Sequence, residues 1–266
     1  MNPSSSKQHP PGEHLASHRQ GSLQVFTIER ESEGNQLTLG MISALAGAIR
    51  AAGQQDISAI LIRSQGSDFS LGRDTRPAAP AANPVATAAP ATTGAAPATA
   101  LSMRSGMTSP ILDVYDAIAG AAVPVIARVQ GRALGFGCAL ATACDITIAA
   151  DVARFQLPEL EKNLPPTLAV SAMMARVPRK ALTWMVYSMQ QIDAQAALSL
   201  GIVSQVVPLA QLDDACEQIA AGLAQRSRPA LVAVKDYFRS APGMDARAAS
   251  DYAANLLATV FSSIQK

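Results

Sequence analysis

Two stretches of this chain, "ILIRSQGSDFSLGRDT" (60–75) and "PVIARVQGRALGFGCAL" (124–140), share one design. In each, an apolar run ends in a glycine-containing turn that leads toward a helix. A turn of this kind exposes backbone N–H groups, and a helix N-terminus adds the positive end of its dipole. One such turn is an ordinary connection. Two of them, from neighbouring strands, can hold two N–H donors against one oxygen, which is the requirement of an oxyanion hole. The second stretch runs on through "ALGFGCALATACD" (133–145), where bulky Phe136 stands between Gly135 and Gly137. Ala139 follows two residues later, on the expected helix, with no side chain that could do chemistry. A working site, a rewired one and a tight turn in a core are all readings of that pattern.

Other reactive side chains are poorly placed for chemistry. All three histidines, His9, His14 and His18, fall in the first 20 residues, "MNPSSSKQHPPGEHLASHRQ", a polar stretch with three prolines that reads as a disordered tail. Catalysis or metal binding by histidine is therefore not expected. Cys138, Cys144 and Cys216 show no metal-ligand spacing, and an odd number makes a poor disulfide framework. They read as small buried residues in a reducing compartment. The tail has no apolar signal core, so a cytoplasmic protein is expected.

The elements that position the two turns can be read from periodicity. "ISAILIR" (57–63) and "PVIARV" (124–129) are continuous apolar runs, the mark of strands covered on both faces. "LQVFTIER", "DITIAA" (145–150) and "IVSQVV" (202–207) are further strands. Helices are expected over 41–53, 111–120, 168–176, 179–189 and 193–201, the last capped by Asp193 and ended by Gly201. From 208 onward the pattern is helical throughout: 210–226, 229–240 and 245–263. Strands alternating with helices, followed by an all-helical end, predict an α/β core with a C-terminal helical part. Residues 77–100 interrupt it with twelve Ala, five Pro and four Thr, a low-complexity segment expected to be a surface excursion. The expected divisions are thus a tail (1–20), a core (21–207) containing that insertion, and a helical region (208–266). Apolar residues make up 49% and aromatics only 4%, which suits packed helices and sheets better than an aromatic platform. A net charge of +1 gives no basic footprint for nucleic acid, and no run is long enough to span a membrane.

The segments "DFSLGRD" (68–74), "PVIARVQGRALGFGCALATACDITIAA" (124–150), "ARFQLPEL" (153–160) and "DAQAALSLGIVSQVVP" (193–208) together resemble the crotonase (enoyl-CoA hydratase/isomerase) superfamily, in the family's order. The resemblance implies a spiral of ββα units with a C-terminal helical trimerisation part, a homotrimer or hexamer, and an acyl-CoA thioester as substrate. No cofactor is implied beyond the coenzyme A carried by that substrate. The thioester carbonyl would accept hydrogen bonds from the backbone N–H groups of Arg73 and Phe136. Because the donor is main chain, a phenylalanine can supply it, whether its ring packs in the core or against the acyl chain. Family hydratases use two glutamates. One position maps onto Ala139 and is lost; the other maps onto Glu159, which becomes the candidate acid/base.

Each of these residues also has a plainer reading. Glu159 could cap the helix after Pro158, Asp145 could hold a strand start, and Asp74 could orient its loop. Leu71, Asp74 and Arg76 are the candidate substrate contacts, with arginine suited to the phosphates of CoA; a solvated loop is the competing reading. Tyr252 falls near a tyrosine carried by family lyases that act on aromatic thioesters. One carboxylate suffices to shift a double bond, whereas hydration is easier with two. The expected function is therefore enoyl-CoA isomerisation or hydration. The alternatives are an aryl-CoA hydratase-lyase and a non-catalytic acyl-CoA-binding homologue.

Overall fold

A computed structural model describes residues 13–76 and 99–264. Nine strands are β1 (Leu15–Gln20), β2 (Leu23–Ile28), β3 (Ala59–Ser64), β4 (Val125–Val129), β5 (Arg132–Leu134), β6 (Ile146–Ala150), β7 (Arg154–Gln156), β8 (Ile192–Asp193) and β9 (Gln205–Val207) among the described residues. The helices that matter for the site are α1 (Leu39–Gly53), α2 (Ala100–Met103), α3 (Ser109–Gly120) and α4 (Phe136–Ala143). They are followed by α5 (Thr167–Met173), α6 (Arg179–Ser188), α7 (Ala194–Ser199), α8 (Leu212–Ala224), α9 (Arg228–Ser240) and α10 (Ala246–Ile264).

A six-stranded sheet runs in the order β1-β2-β3-β4-β6-β9, with every pair parallel except β1–β2. A second, three-stranded sheet has the order β5-β7-β8. Successive turns of the chain lay one strand in each sheet, β4 then β5 before α4, and β6 then β7, which is the ββα spiral. The continuous apolar runs are explained by cover on both faces. On one side Ile60, Ile62, Val125 and Ala127 pack with α1, α3 and α4; on the other Leu61, Ile126 and Ile148 pack with Leu212, Cys216 and Ala220 of α8.

Two expectations need correction. Residues 15–20, read as part of a disordered tail, form β1, paired antiparallel with β2 in the register Leu15↔Ile28 to Gln20↔Leu23. The two-residue turn Gly21–Ser22, with Gly21 at φ +59°, joins them, and only Leu15 of the strand is buried, so its composition looks like that of a tail. His14 and His18 thus belong to ordered chain, while His9 lies outside the described residues. The insertion expected over 77–100 also lies outside them, apart from its last two positions: Thr99 caps α2 by accepting from Ser102 N (3.1 Å), and Ala100 begins the helix. A π-helical turn, Arg104–Thr108, then joins α2 to α3, ahead of the helix start expected at 111.

The C-terminal part is helical as expected. A buried lysine docks it onto the core: Lys235 of α9 bonds the partly exposed Asp145 and the Ile118 carbonyl (2.9 Å), while Asp145 Oδ2 accepts from Val125 N (2.7 Å). Asp145 therefore holds a strand start, the plainer of its two readings.

Candidate active site

The two glycine turns follow adjacent parallel strands, β3 and β4, in the register Ile60↔Val125 to Ile62↔Ala127. They are zipped together by backbone bonds: Phe69 N and Ser70 N both donate to the Arg132 carbonyl (3.0 Å), and Leu134 N donates to the Ser70 carbonyl (2.9 Å). Glycine is required where the loops touch. A Cβ on Gly137 would lie 2.5 Å from the Ser70 carbonyl oxygen, and one on Gly72, at φ +109°, would lie 3.2 Å from the Leu134 carbonyl and 3.9 Å from Phe136 N. The first loop therefore runs directly alongside the start of α4.

Among the described residues, neither the Arg73 N–H nor the Phe136 N–H has a hydrogen-bond partner. The bridge between Leu37 and Arg73 explains the first. Leu37 N bonds the Gly72 carbonyl and Asp74 N bonds the Leu37 carbonyl, so the intervening Arg73 N–H faces away from Leu37. The second is free because Phe136 opens α4, where the first N–H groups of a helix have no acceptor within it.

Glu159 meets this same corner. Gly135, the N-cap of α4, adopts φ +52° and ψ −117°, a region that favours glycine, and a Cβ there would lie 2.8 Å from Glu159 Oε1. The other oxygen, Oε2, is buried without a hydrogen-bond partner. Burial pushes the Glu159 carboxyl above the usual carboxylate range, against smaller opposing effects of its own backbone N–H and of Lys162. A carboxyl raised in this way holds a proton more readily than a solvated one, which suits a group that takes and returns protons. It begins a short 3-10 turn, Glu159–Lys162, after Pro158, so it does occupy a first turn, but with its carboxyl turned into the site.

Ala139 is fully buried and carries no proton-transferring group. Phe136 is buried, its ring stacked on Tyr115 of α3 with centroids 6.0 Å apart and planes 24° apart. Tyr115 was not singled out by sequence. It shares a buried helical stripe with Ile111, Val114 and Ile118, which reads as plain core. Its hydroxyl is nonetheless buried without a partner. Burial first, then the charges of Cys138 and Glu159, raise the phenol above its usual range. The Cys138 thiol is pushed up to about 12 by burial and by Glu159. Each unsatisfied buried polar group costs about 1–3 kcal/mol, so two in one corner need a reason.

The other candidates are engaged within the fold. Arg76 is not a free cation for phosphate. Its guanidinium is matched by Asp74 (Nε–Oδ1 3.0 Å, Nη2–Oδ2 2.9 Å) and by Glu33 (2.7 Å). Asp74 also pairs with Arg30 (2.8 Å) and accepts from Arg76 N (3.0 Å), and these partners, Arg76 foremost, hold its carboxyl well below the usual range. It orients its loop. Leu71 packs over Gly34, where an added Cβ would lie 2.4 Å from Leu71 Cδ1. The Arg73 side chain reaches Met107 of the π-helical turn, Nη2 to Sδ 3.7 Å. Tyr252 bonds Asp236 and stacks on Tyr237, ring centroids 6.3 Å apart, within the α9–α10 pair. Cys138, Cys144 and Cys216 are free and buried.

A ββα spiral whose glycine loops open beside a half-buried carboxyl places the chain in the crotonase class of α/β proteins. The family model for enoyl-CoA hydratase/isomerase matches residues 18–266. Human enoyl Coenzyme A hydratase domain-containing protein 3 superposes with a TM-score of 0.81 at 26% identity, covering 93% of this chain and 91% of that one. Enoyl-CoA hydratase domain-containing protein 3, mitochondrial, of Rattus norvegicus is 28% identical over 221 residues, 83% of this chain and 68% of that protein. The 2,3-dehydroadipyl-CoA hydratase of Escherichia coli K12 is 30% identical over 223 residues, 83% of this chain and 80% of that enzyme. The chain belongs to the enoyl-CoA hydratase/isomerase family and is an acyl-CoA-processing enzyme of it.

Proposed function

We propose that this enzyme stabilises a thioester enolate with the Arg73 and Phe136 N–H groups and moves one proton with Glu159, isomerising a 3-enoyl-CoA to the 2-enoyl-CoA. The observation that carries this reading is the half-buried Glu159 carboxyl, its Oε2 out of contact with water, near two unpartnered N–H groups and with alanine at 139. Glu159 removes a proton from the carbon beside the thioester. The electron pair spreads onto the thioester oxygen, where each N–H donor is worth about 3–4 kcal/mol of barrier. Glu159 exchanges that proton with solvent and delivers a solvent-derived one at the far end of the allylic system, so deuterated water labels the product. No cofactor takes part, because coenzyme A arrives joined to the acyl group.

Hydration is the second reading. It is favoured by the name of the E. coli relative, a hydratase. Incubating the protein with 3-enoyl-, 2-enoyl- and aryl-CoA thioesters in deuterated water, read by mass, separates these chemistries. Deuterium uptake without added water supports isomerisation, and a mass gain of one water supports hydration. Chain cleavage marks a lyase, and acyl-CoA binding with no mass change on any thioester would overturn the enzymatic reading of the site.

We also propose a homotrimer built through the helical end. Trp184 of α6, Phe238 of α9 and Leu257 and Phe261 of α10 are each at least half exposed, large apolar surfaces that a partner copy would cover. Light scattering at micromolar concentration should give three times the chain mass; a monomer mass rules the trimer out.

A further inference from the structure

Among the described residues, three buried side-chain polar atoms have no hydrogen-bond partner: Tyr115 Oη, Glu159 Oε2 and Arg228 Nε. Two of the three share one corner. The Tyr115 ring stacks on Phe136, Phe136 opens α4, and the Gly135 N-cap of that helix lies against the Glu159 carboxyl. A tyrosine that merely filled this core would do better as phenylalanine, since buried hydroxyls are almost always bonded. The polypeptide leaves both the hydroxyl and the carboxylate oxygen without a partner.

We propose that Tyr115 is a second catalytic group of this site, its hydroxyl holding the water of a hydration reaction opposite Glu159, in the role that alanine at 139 cannot fill. This rests on the reading of Glu159 and the two backbone donors given above and makes the site competent for hydration as well as isomerisation. The chemistry requires a phenol that stays protonated. Burial keeps Tyr115 neutral, so its O–H donates to the water oxygen at every working pH. That water donates one of its own hydrogens to Glu159 Oε2.

The step balances as follows. Glu159 takes a proton from the water as the water oxygen bonds to C3 of a 2-enoyl thioester. The C2=C3 π pair moves toward the thioester carbonyl, whose oxygen charge is met by the Arg73 and Phe136 N–H groups. The protonated Glu159 then delivers that proton to C2 as the enolate collapses. Hydroxide equivalent and proton add across the double bond, and Tyr115 ends with the proton it began with.

Tyr115→Phe removes one oxygen and keeps the ring stack, so it isolates this role. Crotonyl-CoA hydration, deuterium uptake into the crotonyl-CoA formed from 3-butenoyl-CoA, and binding of butyryl-CoA are measured for wild type and variant. The proposal expects hydration to fall by about 10²-fold in kcat, the cost of misplacing a reactant by about 1 Å, while uptake and binding stay within about twofold. It also expects an unchanged or higher melting temperature, because the lost hydroxyl has no partner in the fold. Hydration at the wild-type rate in Tyr115→Phe overturns the proposal. So does a marked drop in melting temperature with parallel loss of uptake and binding, which would make the hydroxyl structural. A wild type that takes up deuterium but never hydrates crotonyl-CoA overturns the role of Tyr115 and leaves the one-glutamate reading standing. A wild type that does neither overturns both.

Discussion

Gly135→Ala perturbs the site at its tightest point. Gly135 sits at φ +52° and ψ −117°, and an alanine forced into that conformation carries strain of about 1–3 kcal/mol. For a chain of this size a change of that order lowers the melting temperature by about 2–6 °C, at roughly 2 °C per kcal/mol. The new methyl would also lie 2.8 Å from Glu159 Oε1, where ordinary contact begins at 3.4 Å, so the carboxyl must retreat by over half an ångström. Misplacing a catalytic group by about 1 Å costs on the order of 10²-fold, which puts the expected loss of proton transfer between about 10- and 100-fold. Differential scanning fluorimetry and deuterium uptake into a 3-enoyl-CoA read the two effects separately. Gly47→Ala is the matched control. Gly47 is exposed in the middle of α1 with nothing within 4 Å of an added Cβ, so alanine there should stabilise by about 0.5–1 kcal/mol and leave the rate alone. A Gly135→Ala protein with wild-type melting temperature and wild-type uptake would refute the placement of Glu159 over this glycine.

Other expectations follow from the same geometry. Glu159 titrates above its unfolded value because burial disfavours the charged form. Its contribution to stability is therefore full at pH below the unfolded carboxyl pKa and is lost as pH rises through the folded one. Glu159→Gln should accordingly melt higher than wild type at pH 8, with the gap closing toward pH 4; a constant gap across that range would contradict the half-buried, raised carboxyl. Lys235→Met removes the buried cation of an ion pair and leaves Asp145 with Val125 N and solvent. Asp145 keeps contact with water, so the loss is that of one hydrogen bond to a charged group, about 1.5–3 kcal/mol, and urea unfolding reads it directly. An unchanged midpoint would show that the α9 latch contributes nothing.

The legible part of this fold is the part whose chemistry is local. β3 and β4 announce themselves as apolar runs because α8 covers one face and α1, α3 and α4 the other. Asp193 and Gly201 mark α7 because capping is a contact between near neighbours in sequence, Asp193 Oδ1 accepting from Ala196 N at 2.8 Å. β1 was hidden because an edge strand with one buried residue carries no periodic signal; its trace was the Gly21–Ser22 hairpin turn. β5, β7 and β8, two or three residues each, exist only through pairing with distant chain. In the site, Glu159 and the two turns could be placed by motif. Arg76 could not, because Glu33 and Arg30 reach its loop from sequence positions about 40 residues away. Tyr115 was illegible for a different reason: its spacing on α3 is that of core, and only the orphaned hydroxyl distinguishes it.

The most direct test of the central claim is deuterium uptake beside the thioester by Glu159→Gln, measured together with acyl-CoA binding by titration calorimetry. Glutamine keeps the shape of the side chain and leaves the Arg73 and Phe136 N–H groups untouched. Binding should therefore hold within about twofold, while uptake falls by roughly 10²–10⁴-fold, the usual worth of general acid–base catalysis. Near-normal uptake in Glu159→Gln would contradict the assignment of proton transfer to Glu159.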